Sequence, residues 1–209
     1  MNLFTVNLAI KDWPCLVVGG GAVGLPKAKR MIEAGGQVTL IDPGFARDLP
    51  GATVLRREAT EDDLAGIRLA IFATDDKALN ARLYRAAQER GILSAAADDL
   101  ANCDFYMPAV LKRGDLEIAV SSGGTCPAYS VWVRDRLNEL IDDAYGTALS
   151  WFAAFRDRVR VLPMDKRGKV FKALLKTEFM ARFRAGRIDE WEAEVQAMVQ
   201  EVERQPSLP

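Results

Sequence analysis

Gly19, Gly21 and Gly24 are spaced as G-x-G-x-x-G, directly after the apolar run Leu16-Val17-Val18. Between a strand and a helix, that spacing serves phosphate binding. The first glycine allows the tight turn, the second lets a pyrophosphate approach the main chain, and the third lets the helix pack close to the strand. The N–H groups of Gly19, Gly20, Gly21, Ala22, Val23 and Gly24 would then face the phosphates at the positive end of the helix. Alone, the motif is weak. Its partner is Asp42, 21 positions after Gly21 and at the end of a second apolar run, residues 37–41. A carboxylate there accepts hydrogen bonds from an adenine-ribose 2′-OH and repels a 2′-phosphate. These residues point to NAD as the cofactor.

The remaining chemistry is bounded by what the chain lacks. It contains no histidine. That excludes a Ser–His or Cys–His nucleophile, a histidine base and imidazole metal ligands. Three cysteines, Cys15, Cys103 and Cys126, have neither C-x-x-C spacing nor an even count, so neither a disulfide framework nor a metal site is expected. Acid–base work falls to Asp, Glu, Lys, Tyr or Cys.

The elements that position these residues alternate. Residues 4–10 read as an edge strand and residues 15–18 as a buried parallel strand. Residues 27–34 read as a helix, with Pro26 tolerated at its start. Residues 37–41 and 54–57 read as strands, residues 61–64 as a helical turn capped by Thr60, and residues 69–73 as a buried strand. A helix over residues 77–90 carries the stripe Leu79, Leu83, Ala86 and Ala87, and residues 92–97 form a fifth strand. Ligands sit beyond the carboxyl ends of such strands. The rule gathers the glycine turn, Asp42, Thr74, Asp75 and Asp98 on one rim. Thr74 and Asp75 have two readings, contact with the cofactor or capping of the next helix.

The pattern then changes. Residues 103–111 and 116–120 read as a hairpin with residues 112–115 as its turn, and a helix starts near Pro127. Between them, Ser121, Ser122, Gly123, Gly124 and Thr125 read both as a tight turn with Thr125 capping the helix and as a nest of donors for substrate carboxylates. Asp104 reads as a stabiliser of the hairpin. Residues 150–203 have helical composition throughout, and residues 205–209 read as a frayed end.

The 209 residues suffice for an α/β domain and a smaller appendage, with 49% hydrophobic and 27% charged residues, ordinary for a globular protein. No membrane span or signal peptide is expected, and reduced cysteines suit a cytoplasmic protein. Charge is uneven. Residues 1–155 hold 16 basic and 20 acidic side chains, residues 156–187 hold 11 and 3, and residues 188–209 hold 1 and 6. The middle segment could be a solvated helix surface or a positive face for a polyanion. Neither nucleic acid nor membrane is expected as a partner.

Four motifs carry a likeness: Leu-Val-Val-Gly-Gly-Gly-x-Val, Ala73-Thr-Asp-Asp76, Asp98-Asp99 leading to Asp104-Phe-Tyr-Met-Pro108, and Ile118-Ala-Val-Ser-Ser-Gly-Gly-Thr-Cys-Pro127. In this order they resemble the precorrin-2 dehydrogenase/sirohydrochlorin ferrochelatase family, which is also the N-terminal half of siroheme synthase. The likeness covers residues 3–140; the helical tail matches only in length and composition. The resemblance implies an α/β fold with a Rossmann-type doubly wound parallel sheet over residues 1–103, a small α+β dimerisation segment over 104–147 and an α-helical domain over 148–209. It implies NAD-dependent oxidation of precorrin-2 to sirohydrochlorin by a homodimer. Some members also insert Fe²⁺ to give siroheme. The methyltransferase half of the fused enzymes is expected to be absent from this chain.

The family's functional aspartate falls on Asp98, six residues before the Asp-Phe-x-x-Pro block. Without histidine, a carboxylate shielded by a bound macrocycle is the natural proton acceptor; read outside the family, Asp98 is a loop aspartate. Three positions depart from the family's pattern: Gly24-Leu25-Pro26-Lys27 after the turn, Ser94-Ala-Ala-Ala97 before Asp98, and Cys126. The rival class is a non-catalytic NAD-binding sensor module. It accounts for residues 19–42 equally well, but not for Asp98, the Ser-Gly-Gly loop and the basic segment together.

Overall fold

The computed structural model describes residues 3–97, 99–175 and 178–187, together with residues 194, 196, 197, 199–201 and 204. The chain forms two units. One comprises residues 1–107 with 123–125, the other residues 108–122 with 126–209.

The first unit is built on five parallel strands: β1 (Pro14–Val18), β2 (Gln37–Ile41), β3 (Ala52–Leu55), β4 (Leu69–Phe72) and β5 (Leu93–Ala96). Their order is β3-β2-β1-β4-β5, so the chain winds outward from β1 in one direction and from β4 in the other. β4 is buried at every position and β1 at all but its first, as expected of central parallel strands with both faces covered. One face packs Cys15, Val17, Leu40 and Ile71 under Ala28 and Met31 of α1 (Gly24–Glu33). The other packs Leu16, Val18 and Phe72 under Leu83, Ala86 and Ala87 of α2 (Lys77–Glu89), the stripe read from the sequence. This is the expected doubly wound sheet, and it places the switch point between β1 and β4.

Residues 4–10 form no strand. Phe4, Val6 and Leu8 are exposed and only Ile10 is buried. An alternating pattern specifies a strand only where a sheet edge accepts it. The edge of β5 is instead met by Cys103, which bridges antiparallel to Ala95. For the same reason the hairpin starts later than its composition suggests. Residues 103–108 are not in it, and β6 (Ala109–Arg113) pairs with β7 (Leu116–Val120) so that Arg113 faces Leu116. Gly114 and Asp115 alone make the turn, with Gly114 at φ 55°.

The second unit carries this hairpin and helices α3 (Pro127–Leu140), α4 (Asp143–Arg158), α5 (Met164–Leu174) and α6 (Phe179–Arg184). Pro127 stands in the first turn of α3, where its missing N–H costs nothing. The helical tail is interrupted, not continuous. A short 3₁₀ turn (Val159–Val161) ends at Leu162, held extended at ψ 150° by the following Pro163. Phe155, Val159, Leu162, Val170, Leu174 and Phe179 form this unit's core. Leu175, at the end of its apolar run, is exposed. The frayed end expected at 205–209 lies outside the described residues. Among the described residues no helix is long and apolar enough to cross a membrane.

Candidate functional site

The glycine turn follows β1. Gly19 has φ 97°, and its N–H donates to the Ile41 carbonyl at 2.9 Å. A Cβ on Gly19 would lie 2.4 Å from the Ala73 carbonyl oxygen, and one on Gly24 would lie 1.9 Å from the Gly19 carbonyl oxygen. Both glycines are therefore required by the fold. Gly21 is different: a Cβ there would meet nothing within 4 Å. Gly21, Ala22 and Val23 are exposed, and no side chain caps the N-terminus of α1. Leu25 donates to the Gly21 carbonyl at 3.1 Å and Pro26 has no N–H, so the donors left to a ligand at this end of α1 are the N–H groups of Gly21, Ala22, Val23 and Gly24, with room above Gly21 for a diphosphate.

Asp42 stands immediately after β2. Its Oδ2 accepts the Gly20 N–H at 2.6 Å and its Oδ1 accepts the Gly44 N–H at 2.7 Å. Two backbone donors hold the carboxylate against the turn. Each oxygen keeps acceptor capacity for a ribose hydroxyl. The fold thus brings the turn and its acidic partner together, and their donor set suits a dinucleotide.

Thr74 lies on the other side of the turn, its nitrogen 2.9 Å from a Cβ built on Gly19. Its N–H and hydroxyl donate to Asn80 Oδ1 at 3.2 and 2.7 Å, and Asn80 Nδ2 donates to the Thr74 carbonyl at 2.9 Å. Asn80 is one of few buried polar side chains, at 3% exposure. Sequence reasoning missed it, though an asparagine inside the apolar stripe of α2 was a usable signal. Neither Thr74 nor Asp75 caps α2. That role belongs to Asp76, whose Oδ1 accepts the Leu79 N–H at 3.0 Å. Asp75 is exposed beside it.

Asp98 lies outside the described residues. On either side of it, Ala97 donates its N–H to the Phe72 carbonyl at 2.8 Å and Asp99 caps a short 3₁₀ turn, Leu100–Asn102. Asp104 does not serve the hairpin. It gathers the Tyr84 hydroxyl, Gln88 Nε2 and the Ser94 N–H.

The Ser-Gly-Gly loop is shared between the units. Gly123, Gly124 and Thr125 belong to the first, where a Cβ on Gly124 would lie 2.8 Å from Leu100. Ser121 and Ser122 belong to the second, where Ser122 Oγ accepts the Cys126 N–H at 3.1 Å. Cys126, not Thr125, is the N-cap position of α3.

Burial pushes the Cys15 thiol up to about 11, against a smaller opposing effect of Arg68, and burial also raises Cys103. Both are protonated and poorly nucleophilic at neutral pH. In the basic segment Arg182 pairs with Glu178 and Glu194 at 3.5 and 2.9 Å, and Arg184 pairs with Asp142 at 3.0 Å. Arg156, Arg160, Lys169 and Lys172 are exposed and pair with no carboxylate among the described residues.

A family described as NAD(P)-binding matches residues 6–109, the part of the chain that holds the turn, Asp42 and Thr74. Siroheme synthase 1 of Pectobacterium atrosepticum is 30% identical over 100% of this chain and 45% of its own length. Siroheme synthase of Pseudomonas paraeruginosa is 37% identical over 82% of this chain and 39% of its own length. The chain thus spans under half the length of these relatives. In fold it is similar to the solved structure of SirC, precorrin-2 dehydrogenase, with TM-score 0.74, 19% identity and coverage of 97% of this chain and 100% of that one. With a nicotinamide-nucleotide cradle at the switch point of its sheet and this likeness along its whole length, the chain is related throughout to siroheme synthases, as a counterpart of part of those longer enzymes.

Proposed function

We propose that the chain is an NAD-dependent dehydrogenase that oxidises precorrin-2 to sirohydrochlorin. The observation that carries this reading is the uncapped glycine turn facing Asp42, on a chain related throughout to siroheme synthases. NAD⁺, when bound, accepts a hydride from the substrate. The chain's own residues do the rest. N–H groups of Gly21, Ala22, Val23 and Gly24 hold the diphosphate on a turn that Gly19 and Gly20 shape through their bonds to Ile41 and Asp42, and Asp42 takes the ribose hydroxyls and rejects a 2′-phosphate. Thr74 and Asp75 border the nucleotide. Asp98 takes the proton that the substrate loses, because a carboxylate shielded from water is a stronger base than an exposed one. Donors of the loop Ser121, Ser122, Gly123, Gly124 and Thr125 receive substrate carboxylates.

The same reading divides the chain into a cofactor domain over residues 1–103, a dimerisation segment over 104–147 and a helical domain over 148–209, in a cytoplasmic homodimer. On α3, Tyr129, Val131, Trp132 and Leu140 are exposed, and Tyr129 stacks on Trp132 at 5.7 Å. Such a face suits a second copy, since a two-stranded hairpin is marginal alone. Light scattering at micromolar concentration tests this: a dimer is expected, and a clean monomer contradicts it.

Asp98→Asn tests the chemistry. The amide keeps the size of the side chain but takes up no proton at neutral pH. NAD affinity is expected to stay unchanged while kcat falls by the roughly 10²–10⁴-fold that loss of a general base produces. Normal turnover of precorrin-2 by Asp98→Asn removes the base from this position.

A further inference from the structure

Asn80 is an amide where the packing of α2 calls for an apolar side chain. Positions 80, 83 and 87 share one face of that helix, and Leu83 and Ala87 are fully buried there. Asn80 is 3% exposed. Burying an amide costs free energy unless its polar atoms are bonded, whereas a leucine at the same position would add to the packing. Among the described residues, each side-chain bond of Asn80 goes to Thr74. Oδ1 accepts the Thr74 N–H at 3.2 Å and the Thr74 hydroxyl at 2.7 Å, and Nδ2 donates to the Thr74 carbonyl at 2.9 Å. The amide is directed wholly at the short connection between β4 and α2, residues 73–76.

That connection presses on the glycine turn. The Ala73 N–H donates at 2.7 Å to the carbonyl of Val18, the residue before Gly19. The peptide joining Ala73 to Thr74 packs against the Gly19 α-carbon. A Cβ on Gly19 would lie 2.4 Å from that peptide's oxygen and 2.9 Å from its nitrogen, and a Cβ on Gly24 would meet the Ala73 methyl at 3.4 Å. The N–H of this same peptide is the one that Asn80 accepts. One planar group is therefore held at its nitrogen by Asn80 and packed at its oxygen against the turn. A rotation that broke the first contact would tilt the second. Beyond Gly19, Asp42 holds the Gly20 N–H, and the donors of Gly21, Ala22, Val23 and Gly24 follow directly in the chain.

We infer that Asn80 is a positioning residue for the dinucleotide: by locking the Ala73–Thr74 peptide against Gly19, it keeps the turn in the shape that receives a diphosphate, and so sets NAD affinity without touching the cofactor. This rests on the reading of the turn as the diphosphate site.

The test is calorimetric titration of the whole chain with NAD⁺ and with adenosine, which lacks the diphosphate. Melting curves establish that each variant is folded at the titration temperature. Asn80→Leu keeps the branching of the side chain, suits its apolar face and removes all three bonds. It is expected to raise the Kd for NAD about tenfold or more, the effect of losing one charge-assisted hydrogen bond to a phosphate, and to leave the Kd for adenosine unchanged. Asn80→Ala removes the same bonds without adding volume. The same split is expected, so one folded variant of the two suffices. In a Gly21→Ala background, where the diphosphate is already obstructed, Asn80→Leu should weaken NAD binding by less than about threefold, because changes acting on one contact do not add.

Unchanged NAD affinity in a folded Asn80→Leu or Asn80→Ala protein overturns the inference. An equal loss of NAD and adenosine does so too, by making Asn80 a support of the whole nucleotide-binding unit, as does collapse of both variants. A full further loss in the Gly21→Ala background overturns it by separating Asn80 from the diphosphate. Absence of NAD binding by the parent is a different result, which defeats the turn as the diphosphate site and the inference with it.

Discussion

Substituting alanine at two glycines of one turn should separate folding from cofactor binding. At Gly24 the added methyl carbon would sit 1.9 Å from the Gly19 carbonyl oxygen, a backbone atom that cannot move without shifting the turn. Ordinary contact begins near 3.4 Å, so α1 would have to retreat by more than an ångström from β1. Overpacking of this kind costs about 1–3 kcal/mol or more, a large share of a domain's stability. At Gly21 the methyl meets nothing within 4 Å, so the folded state should lose less than about 0.5 kcal/mol. The same methyl would occupy the space where a diphosphate approaches the main chain. Losing one charge-assisted hydrogen bond there costs about 1.5–3 kcal/mol, or roughly 10- to 150-fold in Kd for NAD. Thermal denaturation without cofactor and titration calorimetry with NAD⁺ report the two effects separately. Gly21→Ala is expected to match the parent in Tm and bind NAD weakly, while Gly24→Ala is expected to melt early. Unimpaired NAD binding by a well-folded Gly21→Ala protein would refute the placement of the diphosphate.

Three further outcomes are expected. Asp42→Ala should narrow a strong preference for NAD⁺ over NADP⁺ by about 1–3 kcal/mol, and equal use of both cofactors by the parent would contradict the role of Asp42. Arg156→Ala and Lys172→Ala should raise the KM for the polycarboxylate substrate in a salt-sensitive manner, whereas Arg182→Ala should do less because Glu178 and Glu194 already neutralise it; identical effects at all three positions would argue against a charge-driven surface. Iodoacetamide at pH 8 should alkylate exposed Cys126 and spare Cys15, whose thiol is pushed up to about 11. Because folding raises the Cys15 value, its contribution to stability is complete below the unfolded thiol's value of about 8.5 and is lost as pH rises towards about 11. Labelling of Cys15 in the folded chain, read by mass spectrometry, would contradict that burial.

The nucleotide-binding half was legible because its signals are local. β1 and β4 are unbroken apolar runs, the helix stripe of α2 has a 3.6-residue period, and the G-x-G-x-x-G turn announces both its strand and its helix. Asp42 was legible through spacing alone, although its hold on the Gly20 N–H was not. What failed depended on partners distant in sequence. Residues 4–10 have a strand's alternation but pair with no strand of the sheet, and residues 103–108 read as a hairpin strand yet engage β5 and α2 through Cys103 and Asp104. Thr74 and Asp75 were read as possible caps of α2, but the geometry gives that role to Asp76, one position further on, whose side chain alone reaches the Leu79 N–H. Asn80 was hidden because a buried amide looks, in sequence, like a break in an apolar stripe.

The most direct test is to mix the purified chain with precorrin-2 and NAD⁺ and follow both products spectroscopically. One NADH formed for each sirohydrochlorin, with NADP⁺ a poor substitute, is the predicted result. Tight NAD⁺ binding with no NADH formed from bound precorrin-2 would contradict the assignment and leave the chain a binding module.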